Sequence, residues 1–334
     1  MKLTERHSDK PVASLSLDLD NQWAYMKTHG DDGWQSFPSY LDLVVPRILD
    51  LLDRHNLLAT FFIVGQDAAL TKNHDALRSI VEAGHEIANH SFHHEPWLHL
   101  YTPESVQTEI VSADNAIFAA TGMRPKGFRG PGFSISKTVL HTLKALDYAY
   151  DASTFPTFLG PLARAYYFFN AGFAEDEREK RKQLFGSLSD GLRSLRPYEW
   201  QLENGTLLEI PVTTMPVVRT PFHLSYIMYL ASKSRPLALS YFRTALGLCR
   251  LRGISPSLLL HPLDYLGGDD VAALQYFPGM ALPGRDKIAI ANELCREYAA
   301  QFTVLPMGEF AKTVRTKGQL PVRPAVFDRA EVVV

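Results

Sequence analysis

Short apolar runs alternate with longer amphipathic stretches along most of the chain, and this pattern is typical of strand–helix units. The apolar runs predict strands at 12–18, 59–64, 85–89, 126–129, 148–151, 257–261 and 302–306, and a hairpin of 198–202 with 206–212 around Asn204-Gly205. Helical spacing predicts helices at 40–54, 76–83, 102–121, 136–146, 237–251 and 286–299. This alternation favours a closed or nearly closed α/β barrel, and a doubly wound open sheet is the alternative.

The regular alternation is interrupted by an aromatic and then highly charged segment at 155–200. We interpret this segment as a helical insertion within a single catalytic domain that spans 12–307. Residues 308–334 are expected to form a C-terminal helix and an extended tail.

Composition limits the kind of partner that the chain can bind. The 334 residues are 46% hydrophobic and carry a formal net charge of -2, which fits a soluble globular protein and gives no overall field for nucleic acid. Cys249 and Cys295 form no CxxC pair and are expected to be reduced thiols. The polar segment 1–10 predicts no secretory signal, and prolines and Arg164 interrupt the apolar stretch 156–174. We therefore expect a cytoplasmic protein.

Two predicted strand ends carry candidate metal ligands. Asp18 and Asp20 lie two positions apart, so their side chains point to one face, where two like charges need a cation or a shared proton. His90 and His94 are four positions apart, so one helical turn brings both imidazoles to one side, whereas His93 projects differently. Two neutral histidines with one carboxylate form a common catalytic zinc set that leaves a position for water.

Three further strand ends present polar groups. Arg129 precedes a Gly-Pro-Gly turn, where a guanidinium could hold a carboxylate ionised and backbone N–H groups could stabilise an oxyanion. Asp151 ends another strand, although an aspartate in this place is often only a helix cap. His261 ends a fully apolar strand and is followed by Asp264, which could orient it for general acid chemistry. It is the combination of these groups that predicts a catalytic site.

In their order, these segments resemble the five motifs of the polysaccharide deacetylase family, the carbohydrate esterases with a NodB-type domain. Residues 90–94 are similar to the family's H-S-x-x-H motif, and 129–131, 151–153 and 258–261 resemble its R-x-P, D-x-S and L-x-x-H motifs. The resemblance covers roughly 12–307. It implies a distorted (β/α)7 barrel of the NodB type and one divalent metal ion, usually Zn2+.

The resemblance also implies a role for each residue. The implied metal ligands are Asp20, His90 and His94. The implied catalytic residues are a general base, its guanidinium partner, a general acid and a carboxylate that supports the acid: Asp18, Arg129, His261 and Asp151. A backbone N–H group near Gly132 is expected to help hold the oxyanion. The implied reaction is N-deacetylation or deformylation of an amino sugar.

Two features depart from the commonest family pattern. Leu19 separates the two aspartates, and this D-x-D form is similar to cyclic-amidohydrolase-like and lipid-linked aminoarabinose deformylase-like members, which leaves open which aspartate is the base. The insertion has no counterpart in the motif set. Its apolar run at 165–169 and a second run at 222–230, followed by Lys233 and Arg235, are either core packing or a collar that receives a lipid-linked sugar at the inner membrane face.

The sequence is therefore compatible with three functions. The leading hypothesis is a deacetylase or deformylase acting on a carbohydrate or lipid-linked sugar in cell-envelope or exopolysaccharide biosynthesis. The second is an allantoinase-like amidohydrolase that opens a cyclic imide or ureide at the same metal site. The third is a non-catalytic sugar-binding relative, which the presence of Asp18, Arg129 and His261 disfavours.

Overall fold

The computed structural model describes residues 10–160 and 188–327. Within these residues one sheet of ten strands forms the centre of the protein. The strands are β1 (Val12–Asp18), β2 (Thr60–Ile63), β3 (Glu86–Asn89), β4 (Gly127–Phe128), β5 (Tyr150–Asp151), β6 (Tyr198–Leu202), β7 (Gly205–Glu209), β8 (Ser257–Leu260), β9 (Thr303–Leu305) and β10 (Val322–Pro324). Their order is β10-β6-β7-β5-β4-β3-β2-β1-β8, and β9 also pairs with β1.

All pairings are parallel except the β6–β7 hairpin. The hairpin turns through Glu203 and Asn204, one position before the predicted Asn204-Gly205 turn, and Gly205 pairs with Leu202. Because the strands that carry the polar motifs are parallel, their carboxyl ends meet at the same edge of the sheet, which is where active sites of α/β proteins form.

The sheet closes into a ring through a short seam between the extension of β7 and the start of β8. After β7, the chain continues beside β5, because the N–H groups of Ile210 and Val212 donate to the carbonyls of Asp151 and Thr154. The Thr213 N–H then donates to the Ser257 carbonyl at 3.1 Å, and the Ser257 N–H donates to the Thr213 hydroxyl at 2.8 Å. The ring is thus the expected distorted barrel rather than a doubly wound open sheet. Its strands are β1, β2, β3, β4, β5, β7 and β8.

Helices surround this sheet, and those that the sequence predicted have bounds close to the predicted ones. In the described residues they are α1 (Gln22–His29), α2 (Leu41–Arg54), α3 (Gly65–Ala68), α4 (His74–Glu82), α5 (Pro103–Thr121), α6 (Lys137–Ala145), α7 (Leu224–Ala231), α8 (Arg235–Leu251), α9 (Gly284–Gln301) and α10 (Met307–Thr316). The predicted caps are present: the Thr102 hydroxyl accepts from the Ser105 N–H, and Ser136 accepts from the Val139 N–H. Gly122 ends α5 with a φ of 75°, a conformation that glycine adopts without strain.

The structure of the apolar run at 222–230 favours core packing over a membrane collar. It forms α7, whose Leu224, Ile227 and Met228 are fully buried against the barrel. The aromatic run at 165–169 and the charged run at 175–182, with the rest of 161–187, lie outside the described residues. Of the predicted insertion at 155–200, the structure describes only the two flanks.

Helix α1 is absent from the sequence prediction, since only Trp23 and Ala24 of its residues are buried and no apolar stripe marks it. The segment after 308 contains the end of α10 and the strand β10, which pairs with β6. Cys249 and Cys295 are both buried free thiols, and burial raises the pKa of each to about 12. Among the described residues, no helix has the length and apolar character that a membrane span requires.

Candidate metal centre and active site

Three buried side chains from two strand ends converge at the carboxyl edge of the barrel. The Oδ1 atom of Asp20 lies 3.0 Å from Nε2 of His94 and 3.4 Å from Nε2 of His90. One ligand atom from each of these residues lies within 4.8 Å of the others. Such spacing suits three donors arranged around one divalent cation.

Three polar atoms of this cluster lack hydrogen-bond partners among the described residues, and this tests whether the cluster suits a metal. They are Oδ1 of Asp20 and both ring nitrogens of His94, and all three are buried. Unpaired buried polar atoms are costly, and an ion held between them would satisfy their lone pairs. The residues present therefore fit the metal site that the sequence predicted.

The electrostatics of the cluster favour positive charge at its centre. Burial disfavours the charged form of Asp20, but His94 and His90 outweigh this effect and lower the pKa of Asp20 well below its usual range. Burial likewise disfavours the imidazolium of His90, while Asp18 and Asp20 raise its pKa. Two carboxylates thus stabilise a cation here, whether a proton or a metal ion.

The loop that presents the two histidines is not the helical turn that their spacing predicted. Residues 90–94 form no helix, and Ser91 and His94 have φ values of 59° and 53°, in the left-handed region. Even so, the imidazole centroids of His90 and His94 lie 5.1 Å apart. The prediction of convergence is correct, and the predicted helical turn is wrong.

A buried glutamate explains this loop conformation. The Oε2 atom of Glu109, on α5, accepts from the N–H groups of Phe92 and His93 at 3.0 Å each, and Oε1 contacts Nδ1 of His93. Glu109 thus provides partners for backbone donors that a helix would have paired internally. His93 points to solvent and is not one of the converging ligands, as the sequence suggested.

The backbone around Asp20 is held by α1 and α2. The Tyr40 hydroxyl donates to the carbonyl of Asp20 at 2.5 Å. Asn21 caps α1 through its Oδ1 atom, and its amide donates to the carboxylate of Asp67 at 2.7 Å. Trp23 also donates to Asp67, at 2.9 Å. These contacts fix the turn that carries Asp20 beyond the end of β1.

His90 is oriented by the next strand end, because its Nδ1 atom donates to the carbonyl of Arg129 at 2.7 Å. That bond directs Nε2 of His90 towards the aspartates. The Arg129 side chain is also buried. Its Nη1 lies 2.5 Å from Oδ1 of Asp18, and both Nη atoms donate to Ser16 at 3.1 Å. Asp18 therefore faces the cluster with one oxygen bound to a guanidinium.

The second oxygen of Asp18 faces two histidines. Oδ2 lies 4.0 Å from Nε2 of His90 and 3.9 Å from Nε2 of His261. The strand ends of β1, β3, β4 and β8 are thus brought together around one small volume, as the sequence expected. Asp18 is at its centre but lies outside the group of three converging donors.

Asp151 occupies a different environment from the one expected. Its Oδ1 accepts from the Ser153 hydroxyl at 2.6 Å, and Ser153 in turn accepts from the N–H of Gly130. Burial raises the pKa of the Asp151 carboxyl and that of the neighbouring Glu209, and each of the two carboxyls affects the pKa of the other. The described hydrogen bonds of Asp151 do not include His261, whose Nδ1 atom instead lies 2.9 Å from the Ser225 hydroxyl.

Sequence reasoning missed Glu109, Asp67 and Ser225. Glu109 lies on the apolar face of α5, between Val106 and Ile110, and a charged residue on such a face was an available signal of a buried contact. Asp67 follows the end of β2, where another polar strand end could have been noted. Ser225 lies within an apolar run and gave no signal.

Comparisons with known proteins agree with this geometry. Residues 30–150 match a family model described as polysaccharide deacetylase. This range includes His90, His94 and Arg129. The putative polysaccharide deacetylase structure from Mycobacterium smegmatis has a TM-score of 0.64 at 22% identity, covering 98% of this chain and 96% of that one, which shows the shared fold.

Named relatives align over parts of the chain. A peptidoglycan-N-acetylglucosamine deacetylase of Listeria monocytogenes is 34% identical over 96 residues, or 29% of this chain and 20% of the relative. A peptidoglycan-N-acetylmuramic acid deacetylase of Bacillus subtilis is 33% identical over 104 residues, 31% of this chain and 38% of the relative. A chitooligosaccharide deacetylase of Bradyrhizobium is 34% identical over 113 residues, 34% of this chain and 48% of the relative. The chain thus spans less than half the length of these relatives.

Proposed function

We propose that this chain is a member of the polysaccharide deacetylase family and a metal-dependent hydrolase that removes an N-acetyl or N-formyl group from an amino sugar. The observation that carries the proposal is the convergence of Asp20, His90 and His94, with Asp18 facing the same volume. The names of the relatives, which act on peptidoglycan and chitooligosaccharide, support an amino sugar as the substrate.

We assign the ligand set to Zn2+, because two imidazoles and one carboxylate are typical ligands of catalytic zinc. When bound, such an ion supplies Lewis-acid activation of water and of the amide carbonyl. The chain's own residues supply the proton transfers and fix the orientation of the reacting groups.

Asp18 is assigned as the general base. As the water oxygen attacks the carbonyl carbon, Oδ2 of Asp18 takes a proton from the water. Arg129 holds Oδ1 of the same carboxylate, so the carboxylate is oriented before the substrate arrives.

His261 is assigned as the general acid. Its Nε2 faces the volume between Asp18 and the ligands, and it gives a proton to the leaving nitrogen as the C–N bond breaks. The products are then a free amine and acetate or formate. The turn at 131–133, with Gly132 exposed at its tip against Pro96, is the proposed source of backbone N–H groups for the oxyanion. Asp151 acts on this turn through Ser153 and Gly130.

The finer substrate assignment rests on the spacing of the aspartates. The D-x-D arrangement of Asp18 and Asp20 supports a small or lipid-linked amino sugar of cell-envelope or exopolysaccharide biosynthesis, met in the cytoplasm at the inner membrane face. The 222–230 run contributes little to such membrane contact, because Leu224, Ile227 and Met228 are buried in α7. Flotation with vesicles that contain anionic or polyprenyl-phosphate lipid tests it, and protein that stays with the soluble fraction contradicts it.

The central experiment combines metal analysis with product release. We expect purified protein supplied with Zn2+ to hold one ion per chain and to release acetate or formate from N-acyl amino sugars. His94→Ala should lose both properties. His55→Ala is the matched control, since His55 lies between α2 and β2, at the edge of the sheet opposite the strand carboxyl ends.

A substrate panel separates this function from the alternatives. Turnover of cyclic imides or ureides with no release from N-acyl sugars would replace the proposal by the allantoinase-like one. Sugar binding without turnover, in zinc-loaded protein, would identify a non-catalytic relative.

A further inference from the structure

A serine on α7 contacts the distal nitrogen of the proposed general acid. The Ser225 hydroxyl lies 2.9 Å from Nδ1 of His261. It is also close enough to the carboxyl of Asp264 to oppose the rise in the pKa of that group that burial causes. Asp264 is almost completely buried and accepts from the backbone N–H of His261 at 2.7 Å. Ser225 and Asp264 thus both contact the proposed acid, one at the ring and one at the backbone.

The elements that carry this chain are firmly packed. Ser225 lies in the first turn of α7, and the buried side chains of Leu224, Ile227 and Met228 fix that helix in the core. Asp264 lies in the short turn after β8, whose Leu263 carbonyl accepts from the buried amine of Lys287 at 2.7 Å. Such packing restricts the hydroxyl to one position relative to His261.

A hydroxyl can accept and donate at the same time, which allows one consistent direction of hydrogen bonding. The direction that suits a proton donor at Nε2 has Nδ1–H of His261 donating to the Ser225 oxygen, with the Ser225 hydroxyl turned towards Asp264. The bond at one ring nitrogen decides which nitrogen is available for chemistry. With Nδ1 engaged in this way, Nε2 is the nitrogen that faces Asp18 and the reacting centre.

We propose that Ser225, supported by Asp264, is a positioning residue that holds Nδ1–H of His261 and so presents Nε2 as the proton donor. The proposal rests on the proposed function, since His261 donates only when the leaving nitrogen needs a proton. The donating form is the doubly protonated ring. It gives the Nε2 proton to the leaving nitrogen as the C–N bond breaks and becomes the neutral Nδ1–H tautomer, still bonded to Ser225.

The choice of leaving group separates positioning from general damage. An N-acetyl amino sugar needs protonation of its leaving nitrogen, whereas nitrophenyl acetate releases a stable anion without it. For Ser225→Ala we expect kcat on the amide to fall by about 10- to 100-fold, as for other residues that orient a histidine from behind. We expect KM, and the rate on the ester, to change less than about threefold.

Two variants complete this design. Ser225→Thr keeps the hydroxyl and should recover most of the amide activity. Ser232→Ala removes a hydroxyl just beyond the end of α7, whose bond is to the Tyr229 carbonyl, and should match the unmodified protein. An equal loss on amide and ester in Ser225→Ala, or no loss on the amide, would overturn the proposal.

A spectroscopic readout decides the point without any turnover. Long-range ¹H–¹⁵N spectra of the zinc-loaded, ¹⁵N-histidine-labelled protein, assigned with His261→Gln, report which nitrogen carries the proton in the neutral ring. We expect the Nδ1–H tautomer in the unmodified protein and its loss in Ser225→Ala. The Nε2–H tautomer in the unmodified protein would contradict the positioning role. If no amide is hydrolysed, the proposed function fails while this measurement still stands.

Discussion

Nη1 of Arg129 lies 2.5 Å from Oδ1 of Asp18, and both side chains are withdrawn from solvent. A buried ion pair of this kind is strongly coupled, because removal of one partner leaves the other charge uncompensated. We expect Arg129→Met to lower the free energy of unfolding in denaturant by about 3–5 kcal/mol. The double variant Asp18→Asn with Arg129→Met should be less destabilised than Arg129→Met alone. Additive losses in the double variant would contradict this coupling.

Asp18 and Asp20 can be separated by comparing zinc affinity with rate. Asp20 faces both ligand histidines, whereas Asp18 is bound by a guanidinium, so only Asp20 is expected to hold the metal. We predict that Asp18→Asn keeps its zinc affinity and loses about 10²–10⁴-fold in kcat on an N-acyl sugar. In Asp20→Asn, zinc affinity should fall, and the loss of activity should follow from the loss of zinc. The opposite pattern would exchange the two roles.

Zinc should stabilise the folded chain, because the ligands converge only in the native state. At a free zinc concentration one hundred times the dissociation constant, the expected gain in unfolding free energy is about 2.7 kcal/mol. Thermal unfolding with and without a chelator measures this gain. In His90→Ala the transition should no longer respond to the chelator, and an unchanged response there would place the ion elsewhere.

Glu109 is expected to control metal affinity without touching the metal. It holds the N–H groups of Phe92 and His93, between the two ligand histidines. Glu109→Ala should weaken zinc binding by about 10- to 100-fold, measured by competition with a chromogenic chelator. Glu104→Ala, on the exposed first turn of the same helix, is the control. A comparable loss in His93→Ala would show that the His93 imidazole, rather than the backbone contacts, supports the loop.

We predict that Asp67 makes the stability of the folded protein depend on pH. Burial raises the pKa of its carboxyl to about 7. The hydrogen bonds from Asn21 and Trp23 lower this pKa, but the effect of burial is larger. Because the pKa is higher in the folded state, the stability that this group contributes is greatest at pH 4 and is lost as the pH rises towards 7. Between pH 4 and pH 8, we expect the free energy of unfolding of Asp67→Asn to rise by on the order of 2 kcal/mol relative to that of the unmodified protein. Asp75→Asn, on the exposed start of α4, should show no such trend.

The barrel and most of its site follow from local patterns in the chain. The run from Val12 to Asp18 was predicted with the bounds that β1 has, and the apolar run that delivers His261 became β8. Parallel strands then bring their carboxyl ends together regardless of their distance in sequence. For this reason residues as far apart as Asp18 and His261 could be expected at one place.

Contacts that depend on tertiary packing could not be obtained in this way. The spacing of His90 and His94 indicated a helical turn. The loop between them is instead fixed by hydrogen bonds from its backbone N–H groups to Glu109 on α5. Ser225 reaches His261 only because α7 packs beside β8, and nothing in an apolar run distinguishes that hydroxyl. The partner assigned to His261 from the resemblance, Asp151, lies with Ser153 and Glu209 instead.

Arg129 contributes to two parts of the site through different atoms. Its carbonyl accepts from His90, and its guanidinium binds Asp18. Truncation of the Arg129 side chain should remove the support for the general base Asp18 but leave the orientation of the His90 imidazole intact. A variant of this kind could lose turnover and still bind its metal ion. A change that displaces the backbone at this position would disturb both functions together. Inactive but metal-loaded relatives are therefore only a single side-chain replacement away.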